Sequence, residues 1–280
     1  MASPITICTV NYNTSRFIAL MLYSFSVLTK NAWQMLICDN GSRAEELSAL
    51  RELCTQYPNV TLHCRTQSRA GSIGHAEAMD FLVGMVDTPY FVTMDADCVF
   101  LYKHWDEELL QRLVPPVACI GTPPVPDAVK VQDFPNMFAV MYDTAVYRRL
   151  GSPSFMPDVA WVDMPDKTGV EPKDTGWSIH KAYAANGYRG ATLRCINTRH
   201  TESAHYSMVC AEYFLPGSNA LFGSHFGRGS TKGRAKITRF APFWYRLPWL
   251  GEALVRWRCN REIEAWIQGS AGIIRQAAHS

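Results

Sequence analysis

The sequence predicts an α/β fold: a mainly parallel, twisted sheet with helices on both faces, followed by a helical C-terminal tail. Three observations carry this reading. Short β-rich runs alternate with helically spaced segments through about the first hundred residues. Each run ends in a polar cluster. The chain's 280 residues, 48% hydrophobic and 19% charged, suit a globular core of one large domain or two packed halves.

The elements follow in order. Residues 5–10 form the first strand, and 15–28 carry Phe17, Leu20, Met21, Ser24, Phe25 and Leu28 at helical spacing. A second strand at 35–38 stops at the turn Asp39-Asn40-Gly41-Ser42. A helix at 44–57, a strand at 60–64, a helix at 74–86 and a strand at 90–94 complete the series, which runs into Asp95-Ala96-Asp97. Strands spaced by helices imply right-handed crossovers and a parallel sheet, with ligands at the carboxyl ends of its strands. The clusters Asn11-Tyr12-Asn13, Asp39 to Ser42, Arg69 with Gly71 and Gly74, and Asp95 with Asp97 therefore fall on one edge.

Beyond this the pattern changes. Residues 115–126 are proline-rich and read as a rigid surface connection. A strand at 138–141 and a short helix at 143–150 precede residues 151–172, an unpatterned stretch of the length used for lids and binding segments. A helix at 174–185 stops at Asn186-Gly187, and a strand follows near 191–195.

The formal net charge of +2 gives no reason to expect a nucleic-acid partner. Nine cysteines, none at C-x-x-C spacing, point to free thiols in a reducing compartment instead of a zinc site or a disulfide framework. The N-terminal residues lack the pattern of a secretory signal, and no apolar run reaches the ~20 residues that span a bilayer. These features are those expected of a cytoplasmic protein.

Asp95-Ala96-Asp97 sets two carboxylates just past a buried strand, where both can turn toward one ligand. Oxygen ligands of this kind suit Mg²⁺ or Mn²⁺, which in turn bridge diphosphate oxygens. Asp39, at the end of the second strand, can accept a hydrogen bond from a nucleobase N–H, or can serve as a turn residue capping the next helix.

These segments resemble glycosyltransferase family 2 and its GT-A fold. The resemblance lies in Thr6 to Asn13, Ile37 to Ser42, Gly71 to Asp80 and Thr93 to Asp97, and continues at Met141 to Gly151 and Asp174 to His200. Two departures are visible: no proline follows the first strand, and Asp80 stands where an asparagine is common. The resemblance implies a nucleotide-sugar donor, with Asp39 reading the base beside the Thr9, Val10 and Asn11 backbone. Asp95 would contact the ribose or the metal, with Ala96, Arg69 and Gly74 also on the donor side, and Asp97 would ligate the metal. Asp39 fits uracil or thymine, and also guanine, so a UDP- or dTDP-sugar is preferred and a GDP-sugar remains compatible.

Family members transfer sugar with inversion, which needs a base on the acceptor hydroxyl. The resemblance assigns this to Asp174, with Glu171 or Asp163 as substitutes. The residue also reads as a helix N-cap, where the helix terminus would lower its pKa. Trp177 could stack on an acceptor sugar. A third metal ligand is expected at His200, with His225 as its rival in a Gly-rich segment whose Arg228 and Lys232 could cover a diphosphate. The implied catalytic domain spans 1–236, with a nucleotide-sugar half at 1–114 and an acceptor half at 115–236. The extension at 237–280 combines arginine with Phe240, Phe243, Trp244, Tyr245 and Trp249. It reads first as a helix packed on the catalytic domain or a second subunit, and second as a peripheral membrane contact presenting a lipid-linked acceptor. The expected activity is metal-dependent transfer to a hydroxyl of a glycan or lipid-linked acceptor. A retaining transferase and a catalytically silent sugar-nucleotide-binding module are the alternatives.

Overall fold

The computed structural model describes residues 5–126, 128, 130–227 and 248–280, the side chains of 248–255 excepted. Arg228, Lys232, the proposed boundary at 236, and Phe240, Phe243, Trp244 and Tyr245 of the aromatic run lie outside the described residues.

The first half follows the expected alternation. Strands β1 (Ile5–Asn11), β2 (Trp33–Asp39), β3 (Val60–Cys64) and β4 (Tyr90–Asp95) are interleaved with helices α1 (Ser15–Leu28), α2 (Ala44–Thr55) and α3 (Ser72–Gly84). Three short elements come next: β5 (Cys98–Phe100), α4 (Trp105–Leu110) and β6 (Val117–Gly121). β7 (Ala139–Asp143), α5 (Thr144–Arg149), α6 (Val159–Asp163) and α7 (Trp177–Ala185) lead to β8 (Arg189–Thr192) and β9 (Arg194–Asn197). The chain closes with β10 (Ala211–Phe214), β11 (Leu221–His225) and the long helix α8 (Pro248–His279).

A seven-stranded sheet has the order β3-β2-β1-β4-β7-β6-β8. β2 and β4 flank β1 in parallel, so the chain reverses its direction of travel across the sheet at β1 and β4. In open α/β sheets such a switch point leaves a crevice at the carboxyl ends. β7 joins β4 antiparallel. A second, antiparallel sheet has the order β5-β11-β10-β9.

The alternation within β1 explains the layering. Ile5 and Ile7 face one core with Phe17, Met21 and Phe25 of α1. Cys8 and Val10 face the other, with Met79 and Leu82 of α3. Helix α8 extends the first core: Trp266 packs 5.8 Å from Phe17 and 5.9 Å from Phe226, and its Nε1 donates to Ser224 Oγ at 2.9 Å. From Cys259 onward the tail is therefore packed on the domain, the first of its two expected roles. No described helix is long and apolar enough to cross a membrane. All nine cysteines are free thiols, Cys64 alone being exposed.

Several expectations need correction. The proline-rich stretch at 115–126 contains β6, whose residues are mostly buried in the main sheet. The stretch at 151–172 contains α6, capped by the Asp158 side chain. The strand near 191–195 is two strands, β8 and β9. Helix α7 begins at Trp177 with Gly176 at its N-cap, so Asp174 lies before the helix and does not cap it.

Candidate active site

The parallel register sets the carboxylates side by side. Asn11 lies opposite Asp39, and Val10 opposite Asp95. The Asp95 backbone N–H donates to Phe138 O at 2.8 Å, which pins the end of β4 to the segment entering β7. Asp97 is buried just before β5. β5 then pairs antiparallel with β11, matching Cys98 with His225. One further bond, Phe226 N–H to Asp97 O at 2.9 Å, locks the two strand ends together.

That pairing delivers an imidazole across 128 residues of sequence: His225 Nε2 lies 3.2 Å from Asp97 Oδ1 and 3.6 Å from Asp95 Oδ2. The His225 ring packs 4.6 Å from the Phe138 ring. Asp95, Asp97 and His225 offer one ligand atom each, all within 4.8 Å of one another. Burial raises the Asp95 carboxyl above its ordinary value, His75 and His225 oppose this, and the neighbouring Asp97 adds to it. Such a trio of close, desolvated donors fits a divalent cation, and two carboxylates with one imidazole suit Mn²⁺ at least as well as Mg²⁺. His200 sits exposed in the turn after β9, at the same end of the sheet but two strands from His225. The expected preference between the histidines is thus reversed in the geometry.

Of the two expectations for Asp39, its contacts show the turn residue. Its carboxylate is buried, accepting from Asn11 Nδ2 at 2.7 Å and from the Ser42 N–H at 3.1 Å. The second contact is the turn-residue role. Asp39 does not line the cleft above Asp95; its neighbour Asn40 does, with Nδ2 donating to Gly74 O at 2.9 Å. Val10 and Ala96 line that cleft too, whereas the Thr9 side chain is enclosed within the sheet and Asn11 is consumed in holding Asp39. Arg69 points away and forms an ion pair with Asp163, both about half exposed. Gly74 has a packing reason: a Cβ there would stand 2.1 Å from Arg69 O, so only glycine lets the 67–71 loop close on α3.

Asp174 stands on the wall shared by two adjoining cavities. The first is the cleft over Asp95 and Asp97; the second is lined by Phe134, Trp177 and His180. Lys130 shares that wall, its Nζ 2.7 Å from Asp174 Oδ2 and 4.9 Å from the Phe138 ring centroid. Burial alone would raise the Asp174 carboxyl. Lys130 outweighs it, helped by the Thr175 N–H and Ser72, and holds the group below its ordinary value. The direction expected for Asp174 holds, but a lysine causes it and not a helix terminus. Glu171 pairs with Lys181 at 3.1 Å, and neither Glu171 nor Asp163 lines either cavity.

Tyr12 and Asn40, from the clusters after the first two strands, line the cleft, as do Lys130, His75 and Phe138, which the sequence did not single out. His75 carried a usable signal, since it lies in the first turn of a helix that starts at the ligand edge. Lys130 carried none.

Comparison with known proteins decides the family. The model for "Glycosyl transferase family 2" matches residues 6–160, more than half of the chain. The chain belongs to glycosyltransferase family 2. Its sheet topology is that of the GT-A fold. Among solved structures it resembles the mannosyltransferase PcManGT of Pyrobaculum calidifontis, in complex with GDP-Man and Mn²⁺. The identity is 17% and the TM-score 0.51, over 69% of this chain and 55% of that one. The S. aureus protein TarS, residues 1–349, aligns at 12% identity and a TM-score of 0.45, over 68% of this chain and 58% of that one. No curated protein matches the sequence.

Proposed function

We propose that this family 2 enzyme inverts the anomeric centre of its donor sugar, with Asp174 as general base and a divalent cation at Asp95, Asp97 and His225. The observation that carries this reading is the position of Asp174 between two cavities. The cleft over the aspartates suits a diphosphate. The aromatic cavity with Trp177 and His180 suits a sugar ring, which packs its C–H face on aromatic side chains while its hydroxyls hydrogen-bond. An acceptor hydroxyl held in the second cavity could hand its proton to Asp174 as its oxygen forms a bond to the anomeric carbon on one side. The bond from that carbon to the diphosphate breaks on the other.

A bound Mn²⁺ or Mg²⁺ would supply Lewis-acid stabilisation of the departing diphosphate. The protein's own part is to hold the two carboxylates and the imidazole in place. The β5–β11 pairing and the Asp95–Phe138 bond do this, so little rearrangement is required during reaction. Tyr12, 39% exposed at the cleft rim, offers a ring for the base, with Asn40 beside it. Asp39 supports that wall from beneath. The PcManGT complex with GDP-Man and Mn²⁺ makes a GDP-sugar as eligible as a uridine or thymidine donor.

The acceptor is proposed to be a glycan or lipid-linked hydroxyl. Trp257, 56% exposed and flanked by exposed Arg256, Arg258 and Arg261, keeps a peripheral lipid contact in view for the start of α8. The anomeric configuration of the first-formed product, read by ¹H NMR coupling, tests the mechanism. Configuration opposite to the donor's is expected, and retention would eliminate Asp174 as an acceptor base.

A further inference from the structure

Among the described residues, the two cavities share one lysine, Lys130. Among the described residues lining the cleft over Asp95 and Asp97, Lys130 is the sole lysine or arginine, against three carboxylates, Asp95, Asp97 and Asp174. A nucleoside diphosphate entering there adds at least two more negative charges, so Lys130 faces two competing anions. It is paired with Asp174, at 2.7 Å. The pair is partly buried, 24% and 17% exposed, so solvent screens it only in part.

The backbone under Lys130 is braced. Gln132 Nε2 donates to Ala128 O at 2.9 Å and Lys130 O at 3.3 Å, and the Lys130 N–H donates to Ala128 O at 2.9 Å. The flexible part is the four-carbon side chain, which lies along the Phe138 ring. That ring also touches His225 of the cation site. An ammonium on such a stem can swing between neighbouring anions without a backbone change.

We propose that Lys130 exchanges partners in the catalytic cycle: it clamps Asp174 in the empty enzyme and moves to the donor diphosphate when the nucleotide sugar binds, releasing Asp174 to the acceptor. The inference rests on Asp174 being the base. While clamped, Asp174 is a poor proton acceptor, both because one oxygen is occupied and because the ammonium lowers its proton affinity. Once Lys130 has left, burial raises that affinity. Base activation thereby waits for the donor.

Exchange makes a specific demand on binding: the diphosphate must compete with Asp174 for one lysine. Isothermal titration of UDP and of GDP in the presence of Mn²⁺ measures this on the full chain and on Asp174→Asn, Lys130→Met, Lys130→Arg and the Asp174→Asn/Lys130→Met double variant. Thermal unfolding verifies that each variant is folded. For whichever nucleotide binds the parent, Lys130→Met is expected to weaken affinity about tenfold and Lys130→Arg to retain it within about twofold. Asp174→Asn is expected to tighten affinity about threefold to tenfold, and this gain should vanish when Lys130 is methionine. Tightening that persists in the double variant would show only that a negative charge had left the cleft, and would overturn the exchange. So would equal affinity in Asp174→Asn and the parent. Loss of transfer in Asp174→Asn is read separately and judges the base assignment, and a parent that binds neither nucleotide would remove the donor cleft itself.

Discussion

The two sides of the cleft are built by different means. The donor side comes from consecutive strand ends of one parallel sheet, with β1, β2 and β4 placing Asn11, Asp39 and Asp95 in adjacent rows. The other side is assembled from separate segments. Lys130 comes from a braced turn, Asp174 from the residues preceding α7, and His225 from a strand 128 residues beyond Asp97. Parallel-sheet topology makes the first side almost obligatory once the strands form. The second depends on individual pairings, β5 with β11 and Lys130 with Asp174, any one of which a substitution can remove. The geometry is therefore expected to be robust where the sheet dictates it, and both binding and chemistry to be fragile where single contacts do.

Asp174→Asn should separate the sides most sharply. Transfer is expected to fall by roughly 10²–10⁴-fold, the usual worth of a positioned general base, while nucleotide binding survives. Steady-state rates with saturating donor check this, and a parental rate would return the base role to another group. Next is the cation. His225→Ala should weaken Mn²⁺-dependent nucleotide binding at least about tenfold, while His200→Ala stays within about twofold. The opposite order would move the third ligand back to the turn after β9.

A further test asks how rigid the donor side is. Gly74→Ala places a methyl 2.1 Å from Arg69 O, a backbone atom that cannot swing aside. A loss of about 1–3 kcal/mol is expected by chemical denaturation, as for other overpacked sites. Nucleotide affinity should weaken with it, because Gln67, Ala70 and Gly71 of the displaced loop line the cleft. An unaffected Gly74→Ala would mean that the loop adapts and the sheet edge is less fixed than its register implies.

The smallest effect concerns acid. Lys130 holds the Asp174 pKa below its ordinary 3.8, so the pair stabilises the folded state fully above that value. The contribution disappears as pH falls through the lower folded-state value. The stability gap between the parent and Asp174→Asn, about 1 kcal/mol or less at neutral pH, should therefore close under strong acid. A gap that widens on acidification would assign the opposite sign to the interaction.

The same division governs how far the sequence could be read. Strand ends in a β-α-β series are local features, so the Asp95-Ala96-Asp97 edge and the first four strands were visible in alternation and turn residues alone. Asp39 was located on the correct edge. Its buried partnership with Asn11 was invisible, because only register shows which polar residues face each other. Helix α7 began later than expected because Gly176, at φ +80°, takes the N-cap that Asp174 seemed suited to fill. β6 was hidden by its proline-rich flanks, although Val117 to Gly121 is apolar enough for a central strand. The sequence could not show which of His200 and His225 approaches the aspartates, for a related reason. What carries an imidazole to Asp97 is antiparallel pairing with the strand directly after the aspartates, and no spacing rule encodes it. Lys130 lies in a segment without periodicity, and only its ion pair marks it.

The central claim is that Asp95, Asp97 and His225 hold a divalent cation under the donor diphosphate. It is tested most directly by the affinity for UDP and GDP, measured with and without Mn²⁺, in the parent and in Asp97→Asn. Mn²⁺ is expected to tighten binding of at least one nucleotide about tenfold or more in the parent, and to leave Asp97→Asn unchanged. Nucleotide binding by the parent that is indifferent to Mn²⁺ and Mg²⁺ alike would contradict the account.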